Sequence, residues 1–354
     1  MHFIRFLKVP TTNSRPSSKI ITVSTLITIS TDLSEAFYNG NATLRATLRA
    51  DTQSRQLLAS KTVNWTPGLR NLPIQFTFTA SKDTPSEGIV CVSATEHRAD
   101  DMRTLFAGPS ESRILSAWST PFDILKNGSK AEAFVERKLQ LSAGKMVRIW
   151  EETREDIARH IWPGGLAMTS YLSTVPNPPT GTLSSLTSLL SNPSLRVLEL
   201  GAGCGLAGIV LHTLLPSTTV TVTDLPITTE ITSKNLTSNP NENSKNISYG
   251  PLDWASPLPE WCASTIYDLI LVADCTYNTA SIPYLVEVLD QLCKLSPGVV
   301  ILLAHKVRHD SEEMFFEMAG ERGIVKKENV LFEMAGDKVD LYVMGRDLEP
   351  RISG

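Results

Sequence analysis

The chain has 354 residues, of which 42% are hydrophobic and 20% charged, so it is longer than one average domain and can bury a sizeable core. A formal charge of -4 gives no broad positive field for a nucleic-acid backbone, and no stretch approaches the roughly 20 apolar residues that span a bilayer. The five cysteines (Cys91, Cys204, Cys262, Cys275 and Cys293) include no Cys-x-x-Cys pair, which excludes an evident disulfide framework or zinc site and points to a reducing compartment.

Residues 1–31 contain no Asp or Glu but carry Arg5, Lys8, Arg15 and Lys19, a composition that resembles a transit peptide. Pro10 stops any helix begun by Phe3, Phe6 and Leu7, so an ordinary first strand is the plainer reading. Strand patterns follow at 22–30, 42–50, 57–65, 72–80, 89–95 and 114–122, with turn residues between them. Ala42, Leu44, Ala46 and Leu48 alternate with Thr43, Arg45, Thr47 and Arg49, a period of two that puts one face in a core. These segments predict a β-rich sandwich or barrel over residues 1–127, whose role is open between substrate docking and a stabilising cap.

A short linker leads to a predicted helical lead-in over 131–172, with helices at Ala131–Leu141 and Ile149–Tyr171, and then to a Pro-, Ser- and Thr-rich linker at 173–194. From 195 to 350 strands alternate with helices, which predicts a mostly parallel sheet covered on both faces. The strands read 196–200, 219–224, 247–250, 267–273, 299–304, 325–332 and 339–344, and the helices begin near Leu206, Ile227, Ile282 and Asp310. The last two strands are joined by the turn Ala335-Gly336-Asp337-Lys338, too short for a crossover, so they form an antiparallel hairpin.

The run Val197-Leu198-Glu199-Leu200-Gly201-Ala202-Gly203-Cys204-Gly205 is a buried strand flowing into a glycine turn and the apolar helix that starts at Leu206. Glycines let a ligand approach the backbone closely, and a helix N-terminus offers free amides. Glu199 ends an apolar strand, where a carboxylate needs hydrogen-bond donors. Gly203-x-Gly205-x-x-Gly208 with Asp224 further on also fits a dinucleotide fingerprint, so an NAD-dependent oxidoreductase competes. The acid-x-Gly-x-Gly-x-Gly run from Glu199 and the terminal hairpin favour S-adenosylmethionine.

With Ile161-Trp162-Pro163-Gly164-Gly165 before the sheet, Leu252-Asp253-Trp254 after the third strand and Asp274-Cys275-Thr276-Tyr277 after the fourth, the chain resembles the seven-β-strand (class I) S-adenosylmethionine-dependent methyltransferases. More narrowly it resembles the protein-lysine methyltransferase family (methyltransferase family 16), over about Ile149 to Arg346. The resemblance implies a seven-stranded Rossmann-like sheet and a cofactor pocket of Trp162, Glu199, Gly201, Ala202, Gly203, Gly205, Asp224, Leu225, Asp253, Trp254 and Ala273. Glu199 and the glycines would cradle the methionine part, Asp224 the ribose hydroxyls and Asp253 the adenine amino group, with Trp254 and Leu225 flanking the ring.

Methyl transfer from a sulfonium needs no metal, only a nucleophile with a free lone pair in line. Presenting a lysine amine neutral near pH 7.4 costs on the order of 4 kcal/mol, which the sulfonium's own charge and an apolar channel reduce. Asp274 and Tyr277, three residues apart just past the fourth strand, are the candidate catalytic pair that orients the amine; on spacing alone they fit equally a turn cap and a core ring. His305, Lys306 and Arg308 after the fifth strand read as an acidic-substrate contact or, more plainly, as a solvated loop. The expected function is N-methylation of a protein, at lysine, by a cytoplasmic and nuclear monomer with no metal, nucleic-acid or membrane partner. The alternatives are an inactive methyltransferase-fold interaction module, the NAD-dependent oxidoreductase, and transfer to small-molecule amines.

Overall fold

A computed structural model gives the fold and describes residues 1–14, 19–50, 56–94, 99–103, 114–153, 157–174, 183–334 and 337–347. The chain divides into two units, one of residues 1–140 and 148–160, the other of 141–147 and 161–354.

In the first unit, β1 (His2–Ser14), β2 (Ile20–Ser30), β3 (Ala42–Arg49), β4 (Leu57–Trp65), β5 (Leu72–Thr79) and β6 (Glu87–Ser93) are followed by four short strands. These are β7 (Asp100–Asp101), β8 (Ile114–Leu115), β9 (Ala117–Ser119) and β10 (Phe122–Asp123), and the unit's last strands are β11 (Phe134–Gln140) and β12 (Met146–Glu152). One sheet runs β5-β2-β1-β8; the other runs β12-β11-β9-β6-β3-β4, with β10 beside β6 and β7 beside β11. Alternate residues of both sheets, among them Ile4, Val23 and Ile27 from the first and Leu44, Leu48 and Val90 from the second, meet in one core. Residues 15–18 and residue 95, within the first-strand and 89–95 readings, lie outside the described residues.

The helical readings at Ala131–Leu141 and Ile149–Tyr171 are corrected here. The chain is extended as β11 and β12, and α-helix begins only at α1 (Pro163–Thr174). β11 pairs with β9 through Val135↔Ser119 and Glu136↔Trp118 and buries both faces, including Glu136, Arg137 and Lys138. Three consecutive charges in a strand imitate the polar face of a helix; here they are buried because each has a partner. Arg137 donates to Glu151 Oε1 at 2.7 Å and to the Ser116 carbonyl at 2.8 Å. Glu136 accepts from Arg148, and Lys138 Nζ lies 3.6 Å from the centroid of the Trp118 ring. The 173–194 linker also needs correction: α1 reaches Thr174 and a short helix, α2 (Ser184–Leu190), follows, while residues 175–182 lie outside the described residues. Glu328 accepts from the Ser184 hydroxyl and the Ser185 amide, and so caps α2 where no local capping residue does.

In the second unit come β13 (Arg196–Leu200), α3 (Leu206–Leu214), β14 (Thr219–Asp224), α4 (Thr229–Ser238), β15 (Ile247–Pro251) and α5 (Glu260–Ala263). They are followed by β16 (Leu269–Ala273), α6 (Ile282–Leu295), β17 (Val300–His305), α7 (Glu313–Glu321), β18 (Ile324–Met334) and β19 (Asp337–Arg346). The sheet order is β15-β14-β13-β16-β17-β19-β18. All neighbours are parallel except β19, which runs against both β17 and β18; the hairpin closes at Met334↔Asp337, and residues 335–336 of its turn lie outside the described residues. Near-continuous apolar strands such as Leu-Ile-Leu-Val-Ala at 269–273 suit a sheet buried on both faces. Leu285, Leu289 and Phe315 of α6 and α7 pack on Ile270, Val272, Ile301 and Leu303. The strand order reverses at β13, which sits between β14 and β16, so the cleft for a ligand opens at the C-terminal ends of these three strands.

Candidate active site

The glycine loop leaves β13 in an abrupt turn. Gly201, Gly203 and Gly205 all have positive φ, at 62°, 54° and 75°, and Gly205 sits immediately before α3. A Cβ on Gly201 would stand 2.6 Å from Cys275 Sγ and 3.0 Å from the Trp254 ring, so the loop passes between those side chains without room for a methyl group. Glu199 turns under the loop, and its Oε2 accepts from the Gly208 amide at 2.8 Å, at the first turn of α3. Burial pushes the Glu199 carboxyl up to about 8, against the lowering pull of the Gly208 and Ala207 amides. Glu199 therefore finds its donors in the helix start. A Cβ on Gly208 would meet the same oxygen at 2.5 Å, so the third glycine of the dinucleotide pattern is required by Glu199 itself.

Asp224 ends β14 and holds the loop from the side. Its Oδ2 accepts from the Gly203 amide at 2.7 Å and its Oδ1 from the Leu225 amide at 2.6 Å. Three residues that the sequence reading did not single out complete the frame. Thr232 and Asn235 of α4 donate to the Gly203 and Cys204 carbonyls, at 2.7 and 2.9 Å, and the Tyr249 hydroxyl donates to the Leu225 carbonyl at 2.9 Å. Their only sequence signal is a pair of polar residues one helical turn apart, Thr232 and Asn235, both fully buried in α4. Beyond β15, Asp253 is exposed and closes a local turn by accepting from the Ala255 amide at 3.0 Å, while Trp254 is half-buried beside Gly201. Leu225 is 46% exposed, a free apolar surface at the rim.

The Asp274–Tyr277 turn leaves β16 on the other side of β13. Cys275 Sγ lies 3.4 Å from the Leu200 carbonyl, which seats this turn directly against the start of the glycine loop. Asp274 adopts a left-handed φ of 55°, unusual for a residue with a side chain. Its amide donates to the Ala304 carbonyl of β17 at 3.1 Å, its Oδ2 accepts from the Gly165 amide of α1 at 3.1 Å, and its Oδ1 takes Arg308 at 2.9 Å. The carboxyl is almost fully buried, and burial pushes it above its usual range while Arg308 pulls it down. Tyr277, in contrast, is 48% exposed. Thr276 is buried and within 2.8 Å of His305 Nδ1, so His305 is no solvated loop residue. Burial pushes His305 down to about 4. Trp162 stands before α1, with the Arg308 guanidinium 5.6 Å from its ring centroid, and Ala273 ends β16 opposite Ala304.

The cleft thus gathers the glycine loop, Asp224 and Trp254 from one half of the sheet and Trp162, Asp274 and Tyr277 from the other. A model of the family described as lysine methyltransferase matches residues 141–322, just over half of the chain. The chain belongs to the lysine methyltransferase family. Over 82% of its length it is 26% identical to a UPF0665 family protein of Schizosaccharomyces pombe, covering 84% of that protein. It is 35% identical to protein N-lysine methyltransferase METTL21A of Danio rerio over 37% of this chain, spanning 59% of that relative. To protein-lysine N-methyltransferase EFM3 of Chaetomium thermophilum it is 32% identical over 36% of this chain, spanning 40% of that relative. As in the lysine methyltransferase family generally, the cofactor is S-adenosylmethionine, and the NAD-dependent reading falls. Its glycine fingerprint is real, but Gly208 serves Glu199, and the antiparallel β19 between β17 and β18 is foreign to a plain dinucleotide sheet.

Proposed function

We propose that this enzyme methylates the side-chain amine of a lysine in a protein substrate. The observation that carries the reading is the seating of the Asp274–Tyr277 turn on the C-terminal end of β13, through Cys275 and the Leu200 carbonyl, beside the glycine loop. Cofactor and acceptor groups then share one opening. The loop fits S-adenosylmethionine: Gly201, Gly203 and Gly205 turn the backbone at positive φ with no β-carbon in the way, and Asp224 stands at its edge as a carboxylate acceptor for paired hydroxyls.

When bound, S-adenosylmethionine supplies an electrophilic methyl group on a sulfonium. The chain's residues supply position. Gly201, Ala202, Gly203 and Gly205 with Glu199 hold the methionine side, Asp224 the ribose, and Leu225, Asp253 and Trp254 the adenine. On the acceptor side Asp274 provides buried negative charge close to an incoming ammonium, and the exposed Tyr277 offers its phenol oxygen to the amine. The lysine sheds its proton to solvent before attack, and apolar walls favour the neutral amine. Five free, buried cysteines support a reducing compartment, in keeping with cytoplasm and nucleus.

Two measurements test this. Leu225→Glu, a change at an exposed rim position, should weaken binding of S-adenosylhomocysteine in calorimetry by about tenfold or more while the circular dichroism spectrum stays unchanged; intact affinity would move the cofactor site elsewhere. Methyl label from S-adenosylmethionine should enter a protein band of a cell extract and survive hydrolysis as methyl-lysine. Label in small molecules alone would point to an amine metabolite, and no label at all with intact cofactor binding would point to an interaction module.

A further inference from the structure

The end of β17 and the segment after it meet the acceptor turn at two points, and Glu312 braces the second. His305 meets Thr276, Arg308 meets Asp274, and Glu312, in the turn at Asp310–Glu312, holds the Arg308 amide through its Oε1 at 3.3 Å. We propose that Arg308 is a positioning residue for methyl transfer, whose guanidinium fixes the Asp274 carboxylate and with it the turn that carries Tyr277. This rests on the acceptor site proposed above.

Four observations converge on Arg308. Asp274 sits in a left-handed conformation, which a non-glycine residue keeps only where its surroundings over-determine it. One carboxylate oxygen is fixed from below: Oδ2 takes the Gly165 amide, and Gly164 approaches so closely that a Cβ there would stand 2.3 Å from it. The other, Oδ1, is held by Arg308. The Arg308 side chain is itself only 17% exposed and lies by the ring of Trp162, so one planar group bridges the tryptophan before α1 and the carboxylate after β16. Lysine keeps the charge but not the planar fork that can pair and stack together.

Charge matters as much as place. A buried carboxylate without a counter-charge takes up a proton. Among the described residues, the charged groups near Asp274 are Arg308 and, beyond it, Glu312; Cys275 and Tyr277 beside it, raised by burial, and His305 behind Thr276, lowered by burial, are neutral near neutrality. Removing Arg308 leaves Asp274 with the two α1 amides and no cation, so its carboxyl moves further up. The folded-state value is already above that of a free aspartate, so the ionised fraction near neutrality falls as Arg308 is lost.

The test uses the full chain, with Arg308→Gln and Arg308→Lys. The first readout is the rate of radiolabelled methyl incorporation into the labelled protein of an extract, measured across pH. Arg308→Gln should lose about a hundredfold in rate, the scale of a misplaced reacting group, and its acid limb should move to higher pH. S-adenosylhomocysteine affinity should stay within about twofold. Arg308→Lys should restore the acid limb but not the full rate, and in an Asp274→Asn background Arg308→Gln should shift nothing further. The second readout needs no substrate: the Asp274 carboxyl, followed by carbon-13 NMR of labelled aspartates, should titrate higher in Arg308→Gln than in wild type. An unmoved carboxyl titration overturns the proposal, as does a rate loss with an unchanged pH profile, which is what general loosening gives. If the wild-type protein labels no protein at all, the reading of the function fails, and the carboxyl titration still decides the Arg308–Asp274 pair.

Discussion

The two units hold a buried glutamate by opposite means. In the first, β11 and β12 set charge against charge: Arg137 with Glu151, Arg148 and Lys138 with Glu136. In the second, Glu199 is held by backbone amides at the start of α3, with no cation on it. The difference shows in acidity. Burial raises Glu151, but Arg137, His160 and Arg5 outweigh it and hold the carboxyl well below the ordinary value of 4.5. Glu199, with two amides and no cation, rises to about 8. Ion pairs keep a buried charge on, whereas amides alone leave a buried carboxyl that takes up a proton near neutrality.

The comparison breaks most visibly if an ion-pair partner is removed. Glu151→Ala leaves Arg137 buried and unpaired and should cost about 3–5 kcal/mol in chemical unfolding, whereas the double change Arg137→Met with Glu151→Leu should recover most of it. A small loss in the single variant would mean that water reaches the site. Next in size, Asp224→Ala should weaken S-adenosylhomocysteine binding by roughly ten- to a hundredfold, since each hydrogen bond to a charged group contributes about 1.5–3 kcal/mol; a change under about threefold would exclude the ribose role.

Acidity sharpens the contrast on a finer scale. A carboxyl raised in the folded state contributes stability that is complete below its unfolded value near 4.5 and is lost as pH climbs toward 8, so wild type without cofactor should lose stability over that window. Glu199→Gln should flatten that slope in urea midpoints taken at successive pH values. Glu151 works in the reverse sense: its contribution is present above about 4.5 and fades as pH falls. The smallest effect belongs to His305, depressed from 6.5 to about 4, whose contribution is present above 6.5 and lost as pH drops through 4. His305→Gln should reduce acid sensitivity in that interval, and an unchanged acid limb would mean that His305 is solvated.

The same contrast explains what was legible in the sequence. β13, β16 and β17 are short apolar runs whose burial needs no partner outside the pattern, and the glycine loop is written in a residue type that few other structures require. β11 carries its charges in a row, and its partners Arg148 and Glu151 come only in the next strand, so nothing local marks Glu136, Arg137 and Lys138 as buried. α2 is hidden in a Ser- and Thr-rich stretch because its cap, Glu328, comes from β18. Arg308 looked like a surface cation for the same reason: only the pairing of Ala273 with Ala304 brings the ends of β16 and β17 together and sets the arginine beside Asp274. Asp274 and Tyr277 share a turn as their spacing suggested, yet one is buried and the other exposed.

β16 lies beside β13 although β14 and β15 come between them in the chain. A chain emerging from the ribosome has β13, β14 and β15, with Glu199, the glycines, Asp224 and Trp254, before Asp274 and Tyr277 exist. The strand that carries the acceptor turn is made after the residues of β13 and β14 that frame the nucleotide side. The two sides of the cleft are thus written in separate stretches of chain, and only the pairing of β16 with β13 brings them together.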